Sequence, residues 1–348
     1  MSRGASPGAG PPMLTGARPP PPEHRPPSAA TAATRRRRLM ALVRCAIALA
    51  IFVYLFDQIS PATVLEHASA AAPGALLAAF LFALLAHVVI ADRLRRLVQA
   101  FGMEMSILNL LQINLATVFY GLILPAGNVT GIIARFYRMS RHEPNYAAIA
   151  VALAFERLVA TLTLCLVGVA FWLVDWPAGW PALVLMLSAL AALLVLHAAL
   201  FTTAPPLPAR LRGSLGRWWP DRLASLRDAL RQSRDLSPGV VAKLFALSIV
   251  THGLGVIAYG LVASALDLDL SLATIAWTRS AAVLVAILPI SVAGLGVREG
   301  AMVILLAPYG VTAADALTYA LLAFATTILA VGLLGGLLEA IRLLRGQR

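Results

Sequence analysis

LPAGNVTGIIAR, residues 124–135, has a counterpart in the second half of the chain, LPISVAGLGVR, residues 288–298. Each begins with Leu-Pro, continues through small and polar residues, and ends with a short apolar run and an arginine. Both lie inside hydrophobic segments. Proline and glycine interrupt a helix and leave backbone N–H and C=O groups without partners. Hydrocarbon cannot form hydrogen bonds with these groups, so such breaks occur at membrane depth only where they face protein or a water-filled cavity. Two matching breaks in two halves of one chain therefore predict a transport-type site.

The composition of the chain is that of a polytopic membrane protein. Of its 348 residues 60% are hydrophobic and 13% charged, whereas a soluble domain carries about a quarter charged residues. The net charge of +12 does not predict a nucleic-acid partner, because the arginines cluster at the ends of apolar segments, where the positive-inside rule places them. Cys45 and Cys165 both lie in apolar segments, so no disulfide framework is expected.

The sequence divides into a tail and a membrane domain. Residues 1–38 are rich in Pro, Ala and Arg and lack hydrophobic periodicity, so they are predicted to be a disordered tail rather than a signal peptide; translation from Met13 or Met40 is the alternative. Residues 39–348 are predicted to form the membrane domain. A span needs roughly 20 apolar residues. Full spans are expected at about 39–56, 74–91, 146–173, 180–202, 239–264 and 316–340, and re-entrant stretches at about 106–134 and 272–308.

Loop charges predict the orientation of these segments. Arginines at 35–38 precede the first span and others follow the last, which places both termini in the cytoplasm by the positive-inside rule. Arginines at 135–141 follow the first broken stretch, so it enters from the cytoplasm and returns to it. The second broken stretch enters from the outside, beyond Asp267 and Asp269, and returns there. The predicted fold class is all-α, a polytopic membrane helical bundle with two inverted re-entrant helical hairpins, in a bacterial inner membrane.

The breaks themselves are the first candidate site. A helix that restarts after a break points unpaired N–H groups at the centre of the bundle, and helix N-termini attract anions, phosphate above all. The candidate hairpin breaks are Pro125, Gly127, Asn128 and Gly131 in the first stretch and Pro289, Ser291, Gly294 and Gly296 in the second.

Charged residues inside apolar segments are the second candidate site. A central charge costs at least ~2.5 kcal/mol on insertion scales, so it is usually paired and functional. Arginine suits phosphate because its guanidinium presents a fork of donors. For the glutamates, a structural ion pair remains the alternative to a role in binding. The arginines outnumber their acidic partners, which favours a role in binding for them. The candidate substrate-binding residues are Arg135, Arg138, Glu156, Arg157, Arg279, Arg298 and Glu299.

Motifs of enzymes and metal sites do not stand out. There is no Walker A, HExxH or GxSxG pattern, and the six histidines are scattered without metal-ligand spacing. We therefore expect no enzymatic activity, no metal and no cofactor. Without an ATP-binding motif, transport would be either facilitated or coupled to ions.

Three stretches resemble a known family. ILPAGNVTGIIARFYRMSR (123–141), AFERLVATL (154–162) and LPISVAGLGVREGAMVILLAPYGV (288–311) are similar to the integral-membrane domain of bacterial lysylphosphatidylglycerol synthase/flippases and their stand-alone relatives, some of which are linked to hopanoid and glycolipid pathways. The resemblance covers about residues 40–345. It implies a lipid-translocating helical bundle with re-entrant hairpins. The soluble aminoacyl-transferase domain is absent, so lysine transfer to lipid is not expected.

The resemblance also implies roles for individual positions. The chain departs from the family pattern at 128–130, where relatives more often have a glycine with a nearby acidic residue. The family's first motif corresponds to Pro125, Gly127, Gly131 and Arg135. Its Glu-Arg pair corresponds to Glu156 and Arg157. Its second signature corresponds to Pro289, Ser291, Gly294, Gly296 and Glu299.

The predicted function is to bind an anionic or isoprenoid-type lipid and to translocate it between leaflets. Its partner would be a membrane lipid with a phosphate or other anionic head group, and a homo-oligomer is compatible with this function. Two alternatives stay open. One is a secondary transporter of a small anion, and the other is a non-transporting accessory subunit of a lipid or glycolipid pathway.

Overall fold

The structure, a computed structural model, describes residues 29–124, 128–176, 180–197, 220–287, 291 and 294–345. These ranges are mostly helical and contain no strand, which confirms the predicted all-α fold class. The helices are α1 (Ala29–Gln58), α2 (Pro61–Ala70), α3 (Pro73–Ala100), α4 (Ile107–Ile123), α5 (Asn128–Ser140), α6 (Tyr146–Asp175), α7 (Trp180–His197), α8 (Pro220–Arg234), α9 (Pro238–Ala265), α10 (Leu272–Ile287), α11 (Val297–Leu306), α12 (Ala313–Phe324) and α13 (Ala330–Leu344). A π-helical segment, Ala325–Leu329, joins α12 to α13.

Four described helices are long and apolar enough to cross a membrane: α3, α6, α9 and the run Ala313–Leu344. The count rises to five if Cys45–Gln58, the later part of α1, and Pro61–Ala70, which meet at 86°, form one bent span. Helices α4, α7 and α10 are apolar but shorter. The chain is thus a multi-pass helical membrane protein. The four long helices overlap four of the predicted spans, and the count of six full spans remains a prediction.

The first helix begins earlier than expected. Residues 29–38, AATAATRRRR, are helical, although the sequence analysis assigned them to a disordered tail. Alanine and arginine are among the best helix formers, which explains why the helix extends upstream of the apolar run. Residues 1–28, the remainder of the predicted tail, lie outside the described residues.

The first broken stretch is a helical hairpin of α4 and α5. Ser106 caps α4 by accepting a hydrogen bond of 3.2 Å from the backbone N–H of Asn109. Beyond the break, α5 packs back on α4 so closely that a Cβ on Gly131 would lie 2.8 Å from the carbonyl oxygen of Thr117. The backbone N–H of Glu104, before α4, donates to Oε1 of Glu143, after α5, at 3.3 Å. The chain therefore enters and leaves this hairpin at the same place.

The second broken stretch is a helical hairpin of α10 and α11. Gly294 has φ +76°, and a Cβ there would lie 2.7 Å from Cβ of Ala286, so glycine allows the close return of the chain. Gly296 caps α11, and its N–H donates to Oε2 of Glu299 at 2.7 Å. Near the start of α10, Nε1 of Trp277 donates to the hydroxyl of Tyr309, just beyond α11, at 3.1 Å. This hairpin also begins and ends at one place.

The two hairpins begin at opposite ends of α6. Glu143 lies in the turn that leads into α6, which Asn145 caps by accepting from the N–H of Ala148 at 3.1 Å. At the other end Asp175, the last residue of α6, accepts hydrogen bonds from the second hairpin. The 30 residues of α6 span about 45 Å at the helical rise. This arrangement agrees with the predicted inversion, whereas the orientation of each hairpin relative to the membrane remains a prediction.

Small residues set the contact between α13 and the first hairpin. A Cβ on Gly335 would overlap the carbonyl group of Leu115, and one on Gly332 or Gly336 would meet the side chains of Leu122 and Phe119. Glycines spaced in this way let two membrane helices approach at backbone distance. The α4–α13 contact places the π-helical segment beside the centre of the bundle, where it forms part of the cavity described next.

Candidate functional site

A cavity of about 760 Å³ lies between the two hairpins and α6. Residues of α3, α9 and the π-helical segment complete its wall, and most of its lining is aliphatic. Such a volume is typical of a small-molecule site, in which a few polar groups orient the ligand within an apolar wall. The polar and charged groups of this cavity are therefore the candidates for recognition.

Four of the predicted binding residues line this cavity: Arg135, Glu156, Arg157 and Arg298. Gly131, one of the predicted break residues, lines it as well. The lining does not include Arg138, Arg279 or Glu299. The remaining break residues Pro125, Gly127 and Pro289, and the side chain of Asn128, lie outside the described residues, whereas Ser291 is buried with no hydrogen-bond partner for its hydroxyl among the residues described.

Two arginines from different helices hold Glu156. Nη2 of Arg93, on α3, bonds to Oε1, and Nη1 of Arg135, on α5, donates to Oε2 at 3.2 Å. Glu156 is 5% exposed. A buried carboxylate needs several donors to offset its lost hydration. Glu156 therefore docks the returning helix of the first hairpin onto α6 and α3.

A polar network continues from this ion pair across the bundle. Arg93 also donates to Oγ of Ser248 at 2.7 Å, and Ser248 lies 2.6 Å from the hydroxyl oxygen of Thr163. Nε2 of His252 lies 3.2 Å from the same hydroxyl oxygen and 2.9 Å from the carbonyl oxygen of Ala160. Because Glu156 and His252 both line the cavity, this network ties one polar part of its wall to the other and fixes α3, α6 and α9 together.

Arg157 differs from its neighbour in having no partner. Its side chain is exposed and lines the cavity. Within the described residues, its guanidinium takes part in neither an ion pair nor a hydrogen bond, in contrast to Arg93 and Arg135. The cavity thus contains a cation whose donors are available to a ligand.

Arg298 reaches the cavity from the second hairpin. Its Nε and Nη2 donate to Oε1 of Glu299 at 3.1 and 2.7 Å. Its Cζ lies 4.8 Å from the ring centroid of Phe324, a distance at which a cation–π attraction acts. Since the other carboxylate oxygen of Glu299 accepts from Gly296, the pair joins the arginine to the break that begins α11.

Arg138 and Arg279 lie elsewhere in the bundle. Nη1 of Arg138 donates to Oε2 of Glu339 at 2.7 Å, and the hydroxyl of Tyr120 donates to Oε1 at 3.3 Å. This cluster holds α5 and α4 against α13. Arg279, on α10, stacks on the ring of Tyr259, with 5.3 Å between Cζ and the ring centroid.

A hydrogen-bonded cluster joins the start and the end of the second hairpin, at the end opposite its break. Asp175 accepts from the hydroxyl of Thr274 at 3.1 Å, from Nε1 of Trp277 at 2.7 Å, and from the hydroxyl of Tyr309. Partial burial and the hydrogen bond to the Asp175 carboxylate raise the pKa of Tyr309 to about 12. The cluster fixes both ends of the hairpin to the end of α6.

Arg93 and Glu339 belong to these clusters but are not among the residues predicted from the sequence. Arg93 lies beyond the predicted span at 74–91, but α3 continues to Ala100, and the buried Arg93 shares a helix face with Ala86 and Leu97. The spacing of these residues is the pattern that identifies its buried position. Glu339 lies one residue before the end of the predicted span at 316–340, where a charge is ordinary, so its position in the sequence did not mark it as a candidate. Among the described residues, no group of His, Cys, Asp and Glu is arranged to hold a metal ion.

The fold and the cavity define a class, the helical multi-pass membrane proteins with a charged cavity between opposed helical hairpins. The family model described as lysylphosphatidylglycerol synthase TM region matches residues 41–335. The chain therefore belongs to this family, which confirms the resemblance found in its motifs. No curated protein matches the chain.

Proposed function

We propose that the protein binds an anionic or isoprenoid-type membrane lipid by its head group in the cavity and moves it between leaflets, acting as a carrier rather than an enzyme. The observation that carries the proposal is the unpartnered guanidinium of Arg157 in a cavity whose wall is otherwise mostly apolar. Membership of a lysylphosphatidylglycerol synthase membrane family supports a lipid-related role. The site would act in a bacterial inner membrane, with both termini cytoplasmic.

Charge balance favours a negatively charged ligand. Arg93, Arg135 and Arg298 are neutralised in part by Glu156 and Glu299 through the ion pairs described above. Arg157 adds a further positive charge with no acidic partner among the described residues. Arginine binds phosphate oxygens through two parallel hydrogen bonds, and in a site of low polarity such bonds are stronger than in water. These four arginines and two glutamates leave a net positive charge, which the single negative charge of a phosphodiester head group would reduce.

The two hairpins give the site a way to change its access. In the proposed cycle, Arg157 binds the phosphate first, while the acyl or isoprenoid chain lies along the aliphatic lining. Arg135 and Arg298, one from each hairpin, then contact the same phosphate from opposite sides. Glu156 and Glu299 hold these two arginines when the cavity is empty and orient them when it is filled. Because the hairpins start at opposite ends of α6, movement of one or the other opens the cavity to a different leaflet.

The experiment is translocation in proteoliposomes that contain fluorescent phosphatidylglycerol. Wild-type protein should speed the movement of the lipid between leaflets, and Arg157→Gln should reduce the rate about tenfold or more, since a hydrogen bond to a charged group is worth about 1.5–3 kcal/mol. Arg96→Gln is the matched control, because Arg96 is exposed and pairs with Asp92 at 2.8 Å, away from the cavity. The control should translocate lipid at the wild-type rate.

Other outcomes would contradict the proposal. Uptake of soluble glycerol phosphate without lipid movement would indicate a secondary transporter of a small anion. Retention of lipid by a protein that moves neither lipid nor anion would indicate a non-transporting accessory subunit. Equal rates of lipid movement for wild type and Arg157→Gln would show that Arg157 does not bind the head group during translocation.

A further inference from the structure

Arg279 is a cation in the bundle with no acidic partner among the described residues. Its Nε and Nη1 atoms are buried and make no hydrogen bond to any described group. The guanidinium stacks on Tyr259, and Gly255 makes room for it, because a Cβ at that position would overlap Nη2. The surroundings thus enclose a positive charge without neutralising it.

A second unsatisfied group belongs to the same cluster. Tyr319 is fully buried, and its hydroxyl has no hydrogen-bond partner within the part of the chain described. Its ring meets that of Tyr259 edge to face, with 6.0 Å between centroids and an interplanar angle of 89°. Leaving a buried donor unsatisfied costs the desolvation of that group without the compensation of a hydrogen bond. Tyr259 therefore contacts both a cation that lacks an anion and a tyrosine whose hydroxyl lacks a partner among the described residues.

The attraction within the cluster is too weak to offset the cost of burying its charge. A cation–π contact is a weak attraction, whereas a charge at the centre of a membrane helix is costly to insert. Buried charges in proteins are normally paired or bound to an ion. A ligand anion would supply what the described side chains do not.

The cluster lies one helical turn beyond the cavity. Val283 and Ala286 line the cavity, and Arg279 occupies the same face of α10 one turn before Val283. On α9, His252 lines the cavity, and Gly255 follows it by three residues. Arg279 comes two residues after Trp277, which bonds to Asp175 at the end of α6. The cluster therefore lies between the cavity and the end of α6 at which the second hairpin begins.

We infer that Arg279, Tyr259 and Tyr319 form a second, enclosed site for a phosphate-type anion. This inference rests on the proposed function and extends it: the head group passes from the cavity around Arg157 to Arg279 on its way toward the second leaflet. Arg279 supplies a charged fork of donors, and the Tyr319 hydroxyl supplies a further donor. The site takes a phosphate monoester or diester, whether it belongs to a lipid or to a soluble molecule.

The test combines thermal unfolding with translocation, using wild type and Arg279→Met in micelles of an uncharged maltoside detergent, which contains no phosphate. With no anion present, Arg279→Met should raise Tm, because it removes a charge that lacks a partner. Phosphatidylglycerol should then raise the Tm of this variant less than that of wild type. In proteoliposomes Arg279→Met should translocate phosphatidylglycerol at least tenfold more slowly, while its affinity for that lipid at the cavity stays within about threefold of wild type. Arg279→Lys should recover part of both effects.

A structural role for Arg279 predicts the opposite result. Removal of the cation–π contact would then lower Tm with and without phosphatidylglycerol, and translocation would continue at the wild-type rate; this outcome overturns the inference. Tyr319→Phe is the second variant, because it removes only an unsatisfied hydroxyl and keeps the packing of the ring. It should fold as wild type does and translocate several times more slowly, and a wild-type rate would count against the site.

Failure of the proposed function gives a different pattern. A wild-type protein that neither binds nor moves phosphatidylglycerol contradicts lipid translocation. Soluble glycerol phosphate is the second arm of the experiment. If it raises the Tm of wild type but not that of Arg279→Met, the anion site stands with a soluble ligand. If neither phosphatidylglycerol nor glycerol phosphate distinguishes the two proteins, the second site is excluded.

Discussion

Nη1 of Arg135 and Oε2 of Glu156 lie 3.2 Å apart, and this hydrogen bond joins the first hairpin to α6 at the wall of the cavity. Arg93 holds the other oxygen of the same carboxylate from α3. The position of the hairpin thus depends on a carboxylate beside the proposed binding site. A phosphate that binds in the cavity would share Arg135 with Glu156, which couples ligand binding to the docking of the hairpin.

Glu156→Gln should destabilise the protein strongly. The substitution leaves Arg93 and Arg135 buried without their shared counter-charge, and breaking a buried ion pair by removal of one partner costs about 3–5 kcal/mol. Denaturant unfolding in detergent measures the free energy of unfolding. Glu66→Gln is the control, since Glu66 is exposed on α2 and should change that free energy by less than ~0.5 kcal/mol. Equal stability of the two variants would show that the ion pairs of Glu156 with Arg93 and Arg135 do not hold the first hairpin in place.

Gly335→Ala should separate α13 from α4. A Cβ would overlap the backbone carbonyl of Leu115, and overpacking of this kind costs about 1–3 kcal/mol. Gly253→Ala is the matched control in a helix interior, because nothing lies within 4 Å of a Cβ at Gly253. The control should stabilise the protein by up to ~1 kcal/mol through helix propensity. Thermal unfolding compares the two, and a Gly335→Ala protein as stable as the control would disprove the close contact.

Alkaline pH should destabilise the contact between Tyr309 and Asp175, which holds the second hairpin to the end of α6. The folded-state pKa of Tyr309 is about 12, whereas that of an unfolded tyrosine is about 10. The raised value means that the folded state keeps the phenol proton after the unfolded state has released it. This contribution to stability is complete below pH ~10 and is lost as the pH rises through about 12.

Tyr309→Phe tests that assignment. The variant should be less stable than wild type at neutral pH, because it loses the hydrogen bond to Asp175. It should also lose less stability than wild type between pH 10 and 12. Unfolding curves across this range, together with the tyrosinate absorbance of the folded protein, provide the measurement. Parallel pH profiles for the two proteins would contradict the role of Tyr309.

Opposite membrane faces are expected for Arg141 and Asp269. Both are exposed, one after the first hairpin and the other before the second. Single cysteines at these positions, in a chain whose Cys45 and Cys165 are replaced by serine, should react with an impermeant maleimide from different sides. Cysteine at 141 should be labelled from the cytoplasm and cysteine at 269 from outside. Labelling of both from one side would rule out the inverted arrangement of the hairpins.

Much of the fold follows from hydrophobic length and from the repeated motif. Runs of apolar residues long enough for a membrane identify α3, α6, α9 and the helix pair at the C-terminus, because lipid leaves the backbone few alternatives to a helix. The Leu-Pro breaks predict the two hairpins, and the glycines at 131 and 294 meet the chain where it returns. The break residues themselves remain predictions where they lie outside the described residues.

The partners of the charged residues could not be predicted in the same way. Pairing depends on which helices are neighbours, and a single sequence does not contain that information in its local pattern. Glu156 and Arg157 are adjacent in sequence, and both line the cavity. Glu156 is buried and bound by Arg93 and Arg135, whereas the side chain of Arg157 is exposed and has no partner among the described residues. Likewise Arg138 pairs with Glu339 across the bundle, which no spacing along the chain predicts.

The most direct test of the central claim is the amount of anionic phospholipid that the purified protein retains after detergent washing, measured by mass spectrometry. Wild type and Arg96→Gln should retain an anionic lipid, and Arg157→Gln should lose it while remaining folded. Equal retention by all three proteins, or retention of neutral lipids alone, would contradict the claim that the cavity binds a lipid head group through its free arginine.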